Sequence, residues 1–186
     1  MPLGATPSQT VGPFFGFALL ATIGNELVPP GTPDAIRLEG VVTDGNGDVV
    51  PDAMVEIWQA NAAGRYADPG EARAELPLGD GFTGLGRCGT EDGGFSFLTV
   101  KPGRVPSANG TLQAPHIDVS VFARGLLKRV VTRIYFPDEE DANAADPLLS
   151  SLAPDDRATL VAVPDGDALR FDIRLQGEGQ TVFLAV

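Results

Sequence analysis

The chain is expected to fold as an all-β domain, a β-sandwich with short helical insertions between about residues 139 and 157. Three observations carry that expectation. Glycine (23) and proline (16) are both abundant and punctuate the chain between short segments instead of forming one low-complexity block. Several of those segments alternate apolar and polar residues with period two, and amphipathic helical patterns are scarce.

The elements follow in order. Ile36 to Thr43 alternates and runs into Asp44-Gly45-Asn46-Gly47, a hairpin turn signal, before Ala53-Met54-Val55-Glu56-Ile57-Trp58. A second turn, Glu91-Asp92-Gly93-Gly94, leads into Phe95-Ser96-Phe97-Leu98-Thr99-Val100. Read as a strand, Arg129 to Tyr135 puts Arg129, Arg133 and Tyr135 on one face and Val130, Thr132 and Ile134 on the other. Between Glu139 and Arg157, Asp146-Pro147 and Pro154 mark the starts of single helical turns. The turn Pro164-Asp165-Gly166-Asp167 brings Thr159 to Val163 against a last strand, in which Leu169, Phe171, Ile173 and Leu175 alternate with Arg170, Asp172, Arg174 and Gln176. With no internal repeat and no dividing linker, one domain over 1–186 is expected, with an extended N-terminal arm over about 1–30.

Composition excludes several function classes. At 186 residues the chain is long enough to bury roughly 70% of the surface its unfolded form exposes, so no disulfide staple is needed. No apolar run approaches bilayer length, and Met1-Pro2-Leu3-Gly4-Ala5 lacks the basic and apolar regions of a secretory signal, so the cytoplasm is the expected compartment. The net charge of −12 repels phosphate backbones and anionic membranes, which argues against nucleic acid and membrane partners. The lone cysteine, Cys88, reads as a small buried hydrophobe, because no second cysteine or nearby histidine is present in sequence to activate it.

The single histidine stands in Ala114-Pro115-His116-Ile117-Asp118. On a strand, residues two apart share a face, so His-x-His aims two imidazoles at one metal and His-x-Asp aims one. Tyr66 and Tyr135 are the chain's two phenols, and a 2-His-1-carboxylate triad lacks its second histidine. His116 therefore reads as a packed, hydrogen-bonded core residue, and both tyrosines as packing residues with a polar tip.

Val55-Glu56-Ile57-Trp58-Gln59-Ala60-Asn61-Ala62-Ala63-Gly64-Arg65-Tyr66 closely resembles a signature of the intradiol ring-cleavage dioxygenases. Gly84-Leu85-Gly86-Arg87-Cys88, Thr99-Val100-Lys101-Pro102-Gly103, His116-Ile117 and Phe171-Asp172-Ile173-Arg174-Leu175-Gln176-Gly177-Glu178 occur in that family's order and spacing. Thr6-Pro7-Ser8-Gln9-Thr10-Val11-Gly12-Pro13-Phe14-Phe15 and Ala114 to Gly125 are similar to the α subunits of its heteromeric branch, which cleaves protocatechuate. The resemblance implies the family's sandwich and a homologous β subunit that holds Fe(III). It also implies higher oligomers of αβ protomers, and consumption of protocatechuate and O2 to give 3-carboxy-cis,cis-muconate.

Catalytic members of the family bind iron through two tyrosinates and two histidines. Carried over, the first tyrosine position, counting back from Gly81-Phe82, is Ala74, and the second, after Lys101-Pro102-Gly103-Arg104, is Val105. The histidine pair is His116 and Asp118, and the arginine expected three residues before the first histidine is Gln113. One ligand of four survives, so the chain is expected to carry no catalytic residue and no metal of its own.

Protocatechuate bears a carboxylate, and an acidic protein must supply a local cation for it. The densest basic run, Arg124 to Arg133, holds four of the 13 basic residues. From this run Arg133 is the candidate substrate-binding residue, and the resemblance implies that it faces that carboxylate at the α–β contact. Thr10, Gly12 and Pro13 are expected to wall the same pocket: a hydroxyl, a glycine permitting close backbone approach, and a proline fixing shape. Two readings compete, a purely structural subunit and a stand-alone β-sandwich binding module.

Overall fold

Alternating apolar residues become strands in the computed structural model, which describes residues 12, 18–67, 82–91 and 93–185. The strands are β1 (Ala35–Gly40), β2 (Val42–Thr43), β3 (Met54–Gln59), β4 (Leu85–Gly89), β5 (Phe95–Val100), β6 (His116–Phe122), β7 (Val130–Tyr135), β8 (Val163–Asp165), β9 (Ala168–Arg170) and β10 (Ile173–Arg174). Short helices α1 (Glu140–Ala145), α2 (Pro147–Ser151) and α3 (Pro154–Ala158) follow β7. No helix among the described residues is long and apolar enough to cross a membrane.

One four-stranded sheet runs β5-β1-β9-β8 and another β4-β3-β6-β7, with β2 and β10 paired beside them. Leu38, Phe95 and Phe97 from the first pack with Val55, Ile57, Ile117, Val119, Val121 and Ile134 from the second in one buried cluster. Period two on β3 and β6 therefore does what it predicts, turning Val55, Ile57, Ile117, Val119 and Val121 inward while Glu56, Trp58, Asp118 and Ser120 stay half-buried on the opposite face.

Pairing departs from the local pattern in three places. The turn at 44–47 closes, with the Asp44 carboxylate accepting from the Asn46 and Asp48 amides. Its return arm, however, is Val49-Val50, joined to β2 by a Thr43–Val49 bridge and a Val50 N–H bond to Val42 O. The chain then crosses, so β1 and β3 lie in different sheets: β1 pairs with β5, and β3 with β4 and β6. A hairpin signal specifies a turn but not the length of its second arm. The turn at 166–167 likewise joins β8 to β9, whereas Leu160 and Ala162 instead bond the backbone of Tyr135. The strand expected over 169–176 is divided into β9 and β10, which run parallel to β1 and β2. At the break, Asp172 Oδ1 accepts the Val41 amide at 3.1 Å.

Cys88 is half-buried instead of buried, because β4 is a sheet edge and the segment at Gly24 covers it through a single bond to the Arg87 amide. Arg129 precedes β7 and is exposed, so it does not share the strand face of Arg133.

Two polar devices join the layers. Gln59, fully buried at the end of β3, donates to Val100 O (2.8 Å) and accepts from the Thr99 hydroxyl (2.8 Å) on β5. Beyond it, the Asn61 carboxamide oxygen accepts the Ala63 and Arg65 amides, and the Asn61 carbonyl accepts those of Gly64 and Gly103. Gly64 has φ +70°, and a Cβ there would run into the Arg104 carbonyl, so this position tolerates no side chain.

Asp146 caps α2, accepting from the Leu148 and Leu149 amides, and has Pro147 at the first helical position. Its carboxylate is fully buried and also accepts from the Ala114 amide (2.9 Å) and the Tyr135 hydroxyl (3.1 Å). Asp146→Asn would turn an amide NH2 toward one of these donors. The substitution is expected to cost roughly 2–4 kcal/mol of stability, read as a lower urea midpoint at unchanged m-value; an unshifted midpoint would contradict this role for the carboxylate.

Candidate functional site

The candidate site lies on the face of the β4-β3-β6-β7 sheet opposite the main core. Antiparallel register sets Asp118 opposite Arg133 and His116 opposite Tyr135. Trp58 is the other neighbour of Asp118, across β3. Cross-strand partners stand close enough for side chains to meet, so these residues form one cluster.

Arg133 Nε donates to Asp118 Oδ1 at 2.8 Å and Nη1 donates to Gln113 Oε1 at 2.7 Å. The Arg133 side chain is 20% exposed and that of Asp118 31%. Burial acts to lower the pKa of Arg133, but the Asp118 carboxylate, with Tyr135 beside it, holds it above its ordinary value. The basic run is thus not a patch of free cations: Arg124 pairs with Asp52 at 2.8 Å, and Arg133 with Asp118.

His116 is 3% exposed, and its Nδ1 lies 2.7 Å from Ala114 O. A carbonyl only accepts, so Nδ1 carries the proton and Nε2 presents a lone pair. Among the described residues Nε2 has no hydrogen-bond partner, and the Asp118 carboxylate stands 4.0 Å away. Burial, followed by the Arg133 charge, lowers the His116 pKa, so the ring is neutral. Tyr135 is also buried; burial, reinforced by the Asp146 carboxylate, pushes its phenol far above the ordinary range and keeps it a donor. Tyr66 stacks on Trp58 with centroids 5.8 Å apart and places its hydroxyl 3.5 Å from Asp118 Oδ2.

The residues read from sequence divide accordingly. His116, Asp118 and Arg133 come together. Val105 is 5% exposed, and its carbonyl accepts the Gln113 amide. Gly12 is exposed, and nothing among the described residues of this chain comes within 4 Å of a Cβ placed there, so no close approach within the chain requires glycine. Ala74, Thr10 and Pro13 lie outside the described residues. The sequence reading did not find Gln113 and Asp146 as partners of Arg133 and Tyr135. Their only signal was the pair of two-residue spacings, His116-x-Asp118 and Arg133-x-Tyr135, whose register a sequence does not supply.

The residues on this face do not fit a ferric ion. The single imidazole is flanked by a guanidinium, and the carboxylate beside it is already paired with that guanidinium. Val105, which the family resemblance sets at a ligand position, is buried and apolar and offers no oxyanion to a hard cation. What the face offers is an oriented guanidinium with hydrogen-bonding neighbours, a set suited to a carboxylate.

A family model described as Dioxygenase matches residues 20–177. The chain is 44% identical to the protocatechuate 3,4-dioxygenase alpha chain of Pseudomonas putida, covering 97% of this chain and 96% of that one. It is 34% identical to the protocatechuate 3,4-dioxygenase beta chain of Burkholderia cepacia, over 97% of this chain and 83% of that one. Among solved structures, the dioxygenase domain of a dioxygenase carbohydrate-binding protein fusion from Streptomyces sp. SirexAA-E superposes with a TM-score of 0.58 at 26% identity, covering 82% of this chain and 87% of that one.

Because folding lowers the His116 pKa, the unfolded chain binds a proton that the folded chain rejects as pH falls through about 6.5. His116 therefore adds no pH-dependent term above that pH and opposes folding below it. Relative to His116→Gln, the parent chain should lose stability between pH 7.5 and 5.5. Urea titrations at the two pH values test this, and a difference that does not change with pH would contradict a neutral buried ring.

Proposed function

The chain belongs to the intradiol ring-cleaving dioxygenase family, and from that premise we propose that it serves as the α subunit of an αβ protocatechuate 3,4-dioxygenase. In this reading the homologous β subunit holds Fe(III) and the chemistry of ring opening with O2, and αβ protomers assemble further in the cytoplasm. This chain contributes binding and orientation. The two four-stranded sheets are the two layers of the family's sandwich, and the N-terminal arm, with Thr10, Gly12 and Pro13, walls the pocket at the contact with β.

A single observation carries the reading: Arg133 stands on the strand face where a His-x-His pair has become His-x-Asp, half-buried and held in place by Asp118 and Gln113. A fixed guanidinium shielded from bulk water suits the carboxylate of protocatechuate, and the acidity of the whole chain makes such a local cation necessary. Holding that carboxylate orients the ring, so the catechol oxygens reach the partner's iron in one pose. The chain's part in catalysis is thus the entropy it removes from the bound substrate.

Metal analysis and protocatechuate-dependent oxygen uptake test the division of labour. Iron and activity are expected only when the chain is expressed with its β partner. Stoichiometric iron and turnover in the lone chain would overturn the reading. In the pair, Arg133→Ala removes a charge-assisted hydrogen bond worth about 1.5–3 kcal/mol, so protocatechuate should bind about 10- to 150-fold more weakly. An unchanged Michaelis constant would instead favour a purely structural subunit.

A further inference from the structure

We propose that Gln113 and Asp118 are positioning residues that fix the guanidinium plane of Arg133, so that a position matching a family metal ligand and one matching a family arginine now form its mount. The proposal rests on the reading of Arg133 as the partner of the substrate carboxylate.

The two bonds reach Arg133 from different parts of the chain. Asp118 arrives on β6, directly opposite in register, and takes Nε; Gln113, ahead of that strand, takes Nη1. An arginine held at one nitrogen still swings about its terminal torsions, whereas one held at two has a defined plane. These anchors use Nε and one hydrogen of Nη1, the Tyr135 phenol stands beside the guanidinium as a further neighbour, and the remaining N–H groups are left to meet a ligand carboxylate.

Gln113 is itself held on both edges of its peptide. Its N–H donates to Val105 O at 2.9 Å, and its carbonyl accepts from Arg104 Nε at 3.2 Å. Arg104 Nη2 also donates to Leu112 O at 3.0 Å, and Pro106 and Leu112 bridge across the loop. Asp118 is similarly constrained: its second oxygen meets the Tyr66 hydroxyl at 3.5 Å and stands 4.0 Å from His116 Nε2. Val105, Gln113 and Asp118 stand where the family resemblance expects tyrosine, arginine and histidine. Their replacements form a continuous line of support that ends on Arg133. An arginine at 113 or a histidine at 118 would not supply the acceptor oxygens that Arg133 now uses.

The test is steady-state kinetics of the αβ enzyme with protocatechuate, together with inhibition by catechol, which lacks the carboxylate. Gln113→Met keeps length and neutrality but removes the acceptor. It is expected to raise KM for protocatechuate about 3- to 10-fold, leave kcat within about 2-fold, and leave catechol inhibition unchanged. Placed in an Arg133→Ala background, Gln113→Met and Asp118→Ala are each expected to change KM by less than about 2-fold. If Arg133→Ala raises KM while Gln113→Met does not, or if the Gln113→Met effect persists at full size without Arg133, the positioning role is overturned and the carboxylate reading stands. If Arg133→Ala itself leaves KM unchanged, both fall. Should Gln113→Met fail to assemble with β, Gln113→Ala removes the acceptor without adding bulk and decides between the same outcomes.

Discussion

The carboxylate of Asp146, fully buried at the start of α2, joins three parts of the chain that no local pattern brings together: the helix it caps, the Ala114 amide ahead of β6, and the Tyr135 hydroxyl at the end of β7. Strand register is set in whole residues, and a slip of one would send every side chain to the other face. By tying the start of β6 to the end of β7, Asp146 helps keep His116 opposite Tyr135 and Asp118 opposite Arg133. The candidate site depends on that register. So does the burial that lowers the pKa of His116 and keeps Tyr135 protonated.

On this foundation the face has a consistent charge logic. A metal site concentrates anionic and lone-pair donors on one cation, and their mutual repulsion is relieved by the ion they hold. Here one surviving imidazole is neutral, one carboxylate is paired with a guanidinium, and Val105 is apolar and buried. The guanidinium of Arg133 is the group that Asp118 balances. Glu56 and Arg87 form a further half-buried pair on the neighbouring strands, so the same economy of paired charges extends across the sheet.

The most conspicuous sequence signature, Val55 to Tyr66, proves to hold largely architectural content. Gln59 bonds one sheet to the other, Asn61 organises its own loop and receives Gly103, and Gly64 allows backbone to lie against Arg104. Lys101, in the Lys-Pro-Gly stretch, pairs with Asp138 and Glu139 and lies over the Phe136 ring at 5.5 Å. The bonds these motifs make are bonds that the fold requires. The exception is Tyr66, whose ring packs on Trp58 while its hydroxyl reaches the site.

What the sequence by itself determined is whatever depends on local chemistry. Period-two alternation placed Phe171 and Ile173 in the core, Asp146-Pro147 announced a capped helix, and His116-x-Asp118 showed that one strand face offers a single imidazole. The tertiary structure decided everything that depends on which strands meet. The 44–47 turn led only to a short return arm and β3 crossed to the other sheet, Leu169 to Gln176 divided to follow β1 and β2 in parallel, and Arg133 found Asp118 and Gln113. The reason is physical. Side-chain periodicity reports which face of a strand is buried, but many partners and registers satisfy the same burial, and only long-range packing and buried hydrogen bonds select among them.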